Sequence, residues 1–282
     1  MSVSNAMMLI LSGACRRDGD AGSYGSRCAC PPVPGQGARG IMRPNVVHAM
    51  SCATRHAYPC HEESLSMTGF VTLETRNLSP EEGYKMVIGA VVPRPVAWIT
   101  TIDAQGRVNA APFSSYNYVC SNPPMLAVNI GERGGELKDT ARNMVANGEF
   151  VVNVATEDML EPVHASAADY PPEVSEPEEL GIELMPGQFT RVPRIAGSPV
   201  QMECRLTHTL PLGKGSSSLY IGEVIAFHVA SEIFEGGRID SVRLRPIARL
   251  GGPLYSGLGT IWKRAMLGHV PVKGASAGQK KD

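Results

Sequence analysis

Hydrophobic and polar positions divide most of the chain into short, bounded elements. The run SPEEGYKMVIGA opens with Ser79, then Pro80, then Glu82. That spacing predicts a helix with a serine N-cap, proline at its first position and a glutamate reaching back to the cap. RPVAWITTID then alternates, with Val96, Trp98 and Thr100 on one face, which predicts a strand turned by Asp103 to Gly106. The next stretch, RVNAAPFSSYNYV (Arg107 to Val119), reads as the return strand of that hairpin, but an awkward one. Pro112 cannot donate a ladder hydrogen bond and belongs at an edge or a bulge. Ser114, Ser115 and Asn117 also crowd polar groups into the run.

PPMLAVNI, ending at Ile130, is a further strand. GERGGELKDTARNMVANGEFVVNVA divides into a glycine-rich loop, a helix and a strand. The helix starts near Asp139, has Ala141, Met144 and Val145 on its buried side, and stops at the C-cap signal Asn147-Gly148. TEDMLEPVHASA predicts a second helix, capped by Thr156. Residues 169 to 197 are a proline- and acid-rich excursion, irregular apart from a short helix around PEELG. SPVQMECRLTHTLPLG and SSLYIGEVIAFHVASEIF are two long alternating strands joined through GKGSS, and RLRPIARLGGPLYSGLG reads as irregular. Six or more strands with hairpin links, and no βαβ alternation, indicate a mainly β antiparallel barrel with helical insertions rather than a doubly wound sheet.

Composition supports one principal domain. The 282 residues are 43% hydrophobic and 19% charged, with a formal net charge of −1. That suffices for a proper core and gives no electrostatic reason to expect nucleic acid or an anionic membrane as partner. No apolar run approaches the ~20 residues of a membrane span. AMMLIL (Ala6 to Leu11) has no basic residue before it and fits a signal peptide poorly, so the expected location is cytoplasmic.

Both tryptophans and all six phenylalanines fall after residue 66, whereas five of the seven cysteines lie in the first sixty residues. Residues 1–66 are therefore expected to be disordered, since they lack the apolar surface to offset ordering entropy. A targeting segment, or an over-extended start with translation from Met67, are the other readings: this region has six arginines by residue 55 and two acids by residue 60. His48, Cys52, His56 and Cys60 stand four apart, as metal ligands on one helix face would, but Pro59 breaks that helix and no metal site is assigned. The expected organisation is thus residues 1–66, a domain over 67–265, and a loose tail over 266–282.

Familiar catalytic motifs are missing: there is no GxGxxG after a strand, no GxxxxGK[ST], no HExxH and no GxSxG. His208 and His228 each sit singly in a strand, where a structural role is commoner than a catalytic one. Two stretches offer chemistry. GERGGELKDTARN places Arg133, Lys138 and Thr140 around a helix start, whose unpaired amides favour a phosphate. The plainer alternative is that Asp139 caps the helix and Lys138 is a solvated charge. In VNAAPFSS, Ala110 and Ala111 would let a flat ring approach, with Asn109, Ser114 and Ser115 at its edge. Equally, Pro112 could simply block aggregation at an edge strand. The residues alone do not choose.

Taken together, PRPVAWITTIDAQGRVNAAPFSSYNYVCSNPPMLAVNI, KDTARNMVANGEFVVNV, GSPVQMECRL, LYIGEVIAFHV and RLRPIARLGGPLY closely resemble the flavin reductase-like, FMN-binding split-barrel family, over about residues 78 to 262 and in the family's order. The resemblance implies a six-stranded antiparallel Greek-key barrel that forms a homodimer, with FMN near the dimer interface. It implies that Thr100, Thr101, Asn109, Ala110, Pro112, Phe113, Ser114 and Ser115 line the ring and ribityl chain, and that Lys138, Thr140 and Arg133 hold the phosphate. The implied activity is hydride transfer from NADH or NADPH to flavin, with an oxygenase as one candidate recipient of reduced flavin. A flavin-retaining electron carrier and a non-catalytic flavin-binding protein are the alternatives. No acid, base or nucleophile is required. His228 resembles a position where some relatives carry a histidine near the nicotinamide, and is the sole catalytic candidate.

Overall fold

The computed structural model describes residues 69–214 and 216–265. The readings placed on residues 1–66, on Met67 and on the tail from 266 lie outside them. Helix α1 (Pro80–Ala90) starts as its sequence predicts: the Ser79 hydroxyl accepts from the Glu82 amide at 3.3 Å, and the Glu82 carboxylate accepts from the Ser79 amide at 2.8 Å. None of its residues is buried.

The chain continues through β1 (Arg94–Pro95), β2 (Ala97–Ile102), β3 (Val108–Phe113), β4 (Tyr116–Ser121), β5 (Pro124–Gly131), α2 (Asp139–Asn147) and β6 (Glu149–Val154). After α3 (Leu160–Ala165), α4 (Glu176–Leu180), β7 (Leu184–Met185) and β8 (Arg194–Ile195) come the long strands β9 (Val200–Leu212) and β10 (Ser217–Val229). The last elements are β11 (Phe234–Glu235), β12 (Arg238–Ile239), α5 (Ser241–Leu244), β13 (Ala248–Arg249) and β14 (Tyr255–Ser256).

Seven strands form one antiparallel sheet in the order β3-β2-β6-β9-β10-β5-β4. The stretch 107–119 is therefore not one return strand but two. Val108–Phe113 pairs with β2, and Tyr116–Ser121 pairs with β5 at the opposite edge. Ser114 and Ser115 carry the chain across the gap between the edges, which is where the barrel is split. This break accounts for seven strands where six were expected. Side chains from both edges and from the strands between them meet in one core, including Phe113, Val128, Phe150, Met202, Tyr220 and Val224.

Strand β2 is buried on both faces. Ala97 and Ile99 enter that core, while Val96 and Trp98 join a second cluster with Ala155, Val163, Ile195 and Ile247. The excursion after β6 is fixed to the outer face by a buried polar layer. Asn153 donates to the Trp98 carbonyl at 3.0 Å and accepts from the Ile195 amide at 2.9 Å. Gln201 donates to the carbonyls of Ile195 and Ser198 and accepts from Arg194.

Two local expectations are corrected. In α2 the buried residues are Thr140, Ala141, Asn143 and Met144, and Val145 faces out, because the helix turns its threonine and asparagine toward β2 and β3. Thr156 does not cap with its side chain; a 3₁₀ turn over Glu157–Met159 leads into α3 instead.

Candidate functional site

Strand β3 has only one neighbour in the sheet, so every second residue turns its backbone outward. Two of these edge groups are occupied by the start of α4. The Ser175 hydroxyl donates to the Val108 carbonyl at 2.7 Å, and the Ala110 amide donates to the Glu176 carboxylate at 3.0 Å. The third outward residue is Pro112, which has no amide to satisfy. An edge with no unpaired N–H at that point can lie against something other than a strand.

Asn109 connects this edge to α2, its side-chain amide donating to the Thr140 hydroxyl at 2.9 Å. The two segments singled out from sequence thus border one cleft. It is lined by Asn109, Ala111, Pro112 and Phe113 of β3, by Arg133, Lys138, Asp139 and Thr140, by Ser166 to Ala168 and Tyr170 beyond α3, and by Glu176. Lys138 occupies the N-cap position of α2, and no side chain caps the helix. Its first-turn amides, with their partial positive charge, are left to whatever enters the cleft. Arg133 is brought alongside by a tight turn in which Gly134 and Gly135 both take positive φ, 60° and 84°. Its guanidinium pairs with Asp169, and Asp139 pairs with Arg142.

A narrower recess continues the cleft past Pro112, Phe113 and Ala167, and adds Val96, Ser114, Arg249 and Tyr255 to its walls. Behind Ser114 stands Arg94, whose Nε donates to the serine hydroxyl at 3.4 Å. On the far side of Asn109 and Asp139 lies a separate hollow whose charged walls, Arg107 with Asp103 and Arg142 with Asp139, are mutually neutralised.

The structure brings Asn109, Pro112, Phe113, Arg133, Lys138 and Thr140 to one cleft and Ser114 to its extension. Ser115 is exposed at the split, its carbonyl accepting from the Asn129 amide. Thr100, Thr101 and Ala110 are fully buried and have no surface facing the cleft. The Thr100 hydroxyl donates to the Pro193 carbonyl at 2.7 Å, and the Thr101 hydroxyl accepts from Asn143 at 3.1 Å. Both threonines tie β2 to its neighbours. His228 lies outside the cleft, on the outer side of β10, with Nε2 at 2.7 Å from a Glu203 oxygen.

Sequence reasoning passed over Glu176, Tyr170, Arg249 and Tyr255. SEPEEL shows only a helix start, and nothing in it signals that its first glutamate turns inward to an edge amide. Burial pushes the Glu176 carboxyl above its usual value, and the Ala110 amide only partly opposes this. RLGGPLY carried the resemblance as a motif, but its arginine and tyrosine had no assigned place.

The family model described as "Flavin reductase like domain" matches residues 88–243. A protein of uncharacterised function from Halalkalibacterium halodurans is 42% identical over 192 residues, covering 66% of this chain and 92% of that protein. Among solved structures, nitrilotriacetate monooxygenase component B from Bacillus cereus aligns with a TM-score of 0.68 and 35% identity, over 70% of this chain and 99% of that one. The Pseudomonas fluorescens 2-nitrobenzoate 2-nitroreductase NbaA aligns with a TM-score of 0.66 and 29% identity, over 72% of this chain and all of that one. A split antiparallel barrel, a cleft at its open edge and a family match spanning more than half of the sequence lead to one conclusion: this chain belongs to the flavin reductase-like domain family.

Proposed function

We propose that the protein is an FMN-binding flavin reductase that accepts electrons from NADH or NADPH. The observation that carries this reading is the Asn109–Thr140 hydrogen bond, which holds the edge of β3 and the start of α2 as two walls of one cleft. The residues suit the cofactor. The uncapped helix start, Lys138 and Arg133 match a phosphate. Ala111, Pro112 and Ala167 are small enough for a flat ring to lie against, and Phe113 and Ser114 stand at that end. Bound there, the flavin supplies the hydride-accepting chemistry. The chain's part is to anchor the phosphate, fix the ring against β3 and limit water. Thr100, Thr101 and Ala110, which expose no surface, and His228, which is held by Glu203, are given no part in these roles.

The working form in this reading is a homodimer in the cytoplasm. A helix with no buried residue, α1, and the exposed Tyr118 and Val119 of β4 present apolar surface that a second copy would cover. Among the described residues no helix is long and apolar enough to cross a membrane. The similarity to a protein named as a monooxygenase component supports an oxygenase as recipient of the reduced flavin.

The test is the visible absorption spectrum of the purified protein under anaerobic conditions. A flavin band that bleaches on adding NADH or NADPH is expected. A colourless protein that takes up no added FMN would overturn the proposal. The similarity to a nitroreductase favours a second reading, in which the flavin is retained and reduces an acceptor inside the cleft. FMN that survives extensive dilution and is reoxidised by a nitroaromatic acid, rather than by free FMN, would select it.

A further inference from the structure

Arg94 and Arg249 are direct cross-strand partners in the small sheet formed by β1, β13 and β14. Like charges placed opposite each other are destabilising unless something offsets them. Neither arginine takes part in an ion pair among the described residues. For Arg94 the offset is visible. Its guanidinium donates to the carbonyls of Ile88 and Val91 at the end of α1, and to that of Leu250. A helix C-terminus is where a cation is favoured.

Arg249 is compensated less: no helix terminus stands beside it, and it has a single backbone carbonyl where Arg94 has three. Its Nε donates to the Gly252 carbonyl at 3.0 Å and its Nη1 to the Tyr255 hydroxyl, and its Cζ lies 4.5 Å from the centroid of the Tyr255 ring. The tyrosine is held in turn by an edge contact with His164, whose Nδ1 is 3.4 Å from the same hydroxyl. These contacts fix where the cation points without neutralising it. That place is the recess beyond Pro112 and Phe113, which Ser114 also lines. A half-buried, pre-positioned cation at the end of a cleft calls for negative charge from a ligand.

Resting on the flavin reading above, we propose that Arg249, braced by Tyr255, stabilises the negative charge that the flavin ring acquires on reduction. Hydride carries two electrons and one proton from the nicotinamide to a neutral ring. The nicotinamide leaves as its oxidised cation and the ring retains one negative charge. A cation beside that charge binds reduced flavin better than oxidised flavin, and so raises the midpoint potential of the bound cofactor.

The experiment is an anaerobic titration of protein-bound FMN against a reference dye for the wild type, Arg249→Met and Arg249→Lys. In Arg249→Met the reduced flavin should bind at least tenfold more weakly relative to the oxidised form, a midpoint lower by about 30 mV or more for a two-electron couple. Arg249→Lys should keep most of the wild-type potential. Should Arg249→Met not fold, Tyr255→Phe, which removes only the bracing hydroxyl, should lower the potential in part. An unchanged potential with a lower melting temperature would mean that Arg249 only holds the Gly252 turn, and would overturn the inference. So would an unchanged potential with a raised KM for NADPH, since the charge would then serve the co-substrate's phosphate. A wild type that takes up no FMN defeats the functional proposal itself, whereas normal uptake with unmoved potentials defeats this inference alone.

Discussion

Glu203 is fully buried in β9, and its two oxygens accept from the amides of Gln188, Phe189 and Thr190, from the Thr190 hydroxyl and from His228. Burial alone would push this carboxyl up, but the donors outweigh it and hold it at about 2. Because the folded value lies below the ordinary 4.5, the stabilisation is present above about pH 4.5 and is lost as the pH falls toward 2. Glu203→Gln leaves several of these buried donors without a partner and should cost about 3 kcal/mol or more. Urea titrations at stepped pH should also show a flatter acid limb in the variant. Glu176 behaves in the opposite sense. Its folded value is raised, so ionising it costs the fold more as the pH climbs past the unfolded value. Glu176→Gln keeps an acceptor for the Ala110 amide, so its melting temperature at neutral pH should match or exceed the wild type's. A drop would show that the carboxylate's charge is itself stabilising. At this scale the sequence exposed residues whose types suit a ligand, such as Lys138 and Asn109. It could not separate them from Thr100 and Thr101, whose hydroxyls look equally available until β2 is seen to be covered on both faces.

Elements were legible where local chemistry decides them. The capping box of α1, the Gly148 stop of α2 at φ 71° and the two long alternating strands all follow from short-range pattern. The division of 107–119 into β3 and β4 was not, because its cause is long-range. Each half finds a partner in a different strand, and only the closure of the sheet shows that these partners sit at opposite ends. The same closure explains why Gly222 in β10 has no side chain. The ladder shifts register there, and a Cβ would stand 2.5 Å from Cε1 and Cζ of the fully buried Phe150 and 3.2 Å from the Arg205 carbonyl. Phe150 packs in the main core, where it is 1% exposed. Gly222→Ala should therefore cost about 1–3 kcal/mol, read as a lower denaturation midpoint with little change in slope. A neutral effect would mean that the core around Phe150 is looser than its burial indicates.

The whole molecule presents a problem that no single element solves. Helix α1 has a well-formed cap yet buries none of its residues, and Val87 is 61% exposed and Tyr118 of β4 72% exposed. Strand β1, which follows α1, contacts β4, so the two apolar surfaces are joined through the chain that connects them. Isolated helices of eleven residues are marginal in water, so a helix of this length needs packing from outside itself. A second copy supplies that packing under the dimer proposal, and β4, which carries Tyr118, is one of the two edge strands that flank the split. Val87→Asp would then bury an unpaired charge at the interface. A penalty of about 3 kcal/mol corresponds to a dissociation constant more than a hundredfold higher. Light scattering at micromolar concentration should show a dimer for the wild type and for a protein limited to residues 67–265, and a monomer for the variant. FMN affinity should fall along with dimerisation if the partner completes the site. A variant that stays dimeric would move the interface elsewhere. One that dissociates yet binds FMN normally would place the whole flavin site within a single chain.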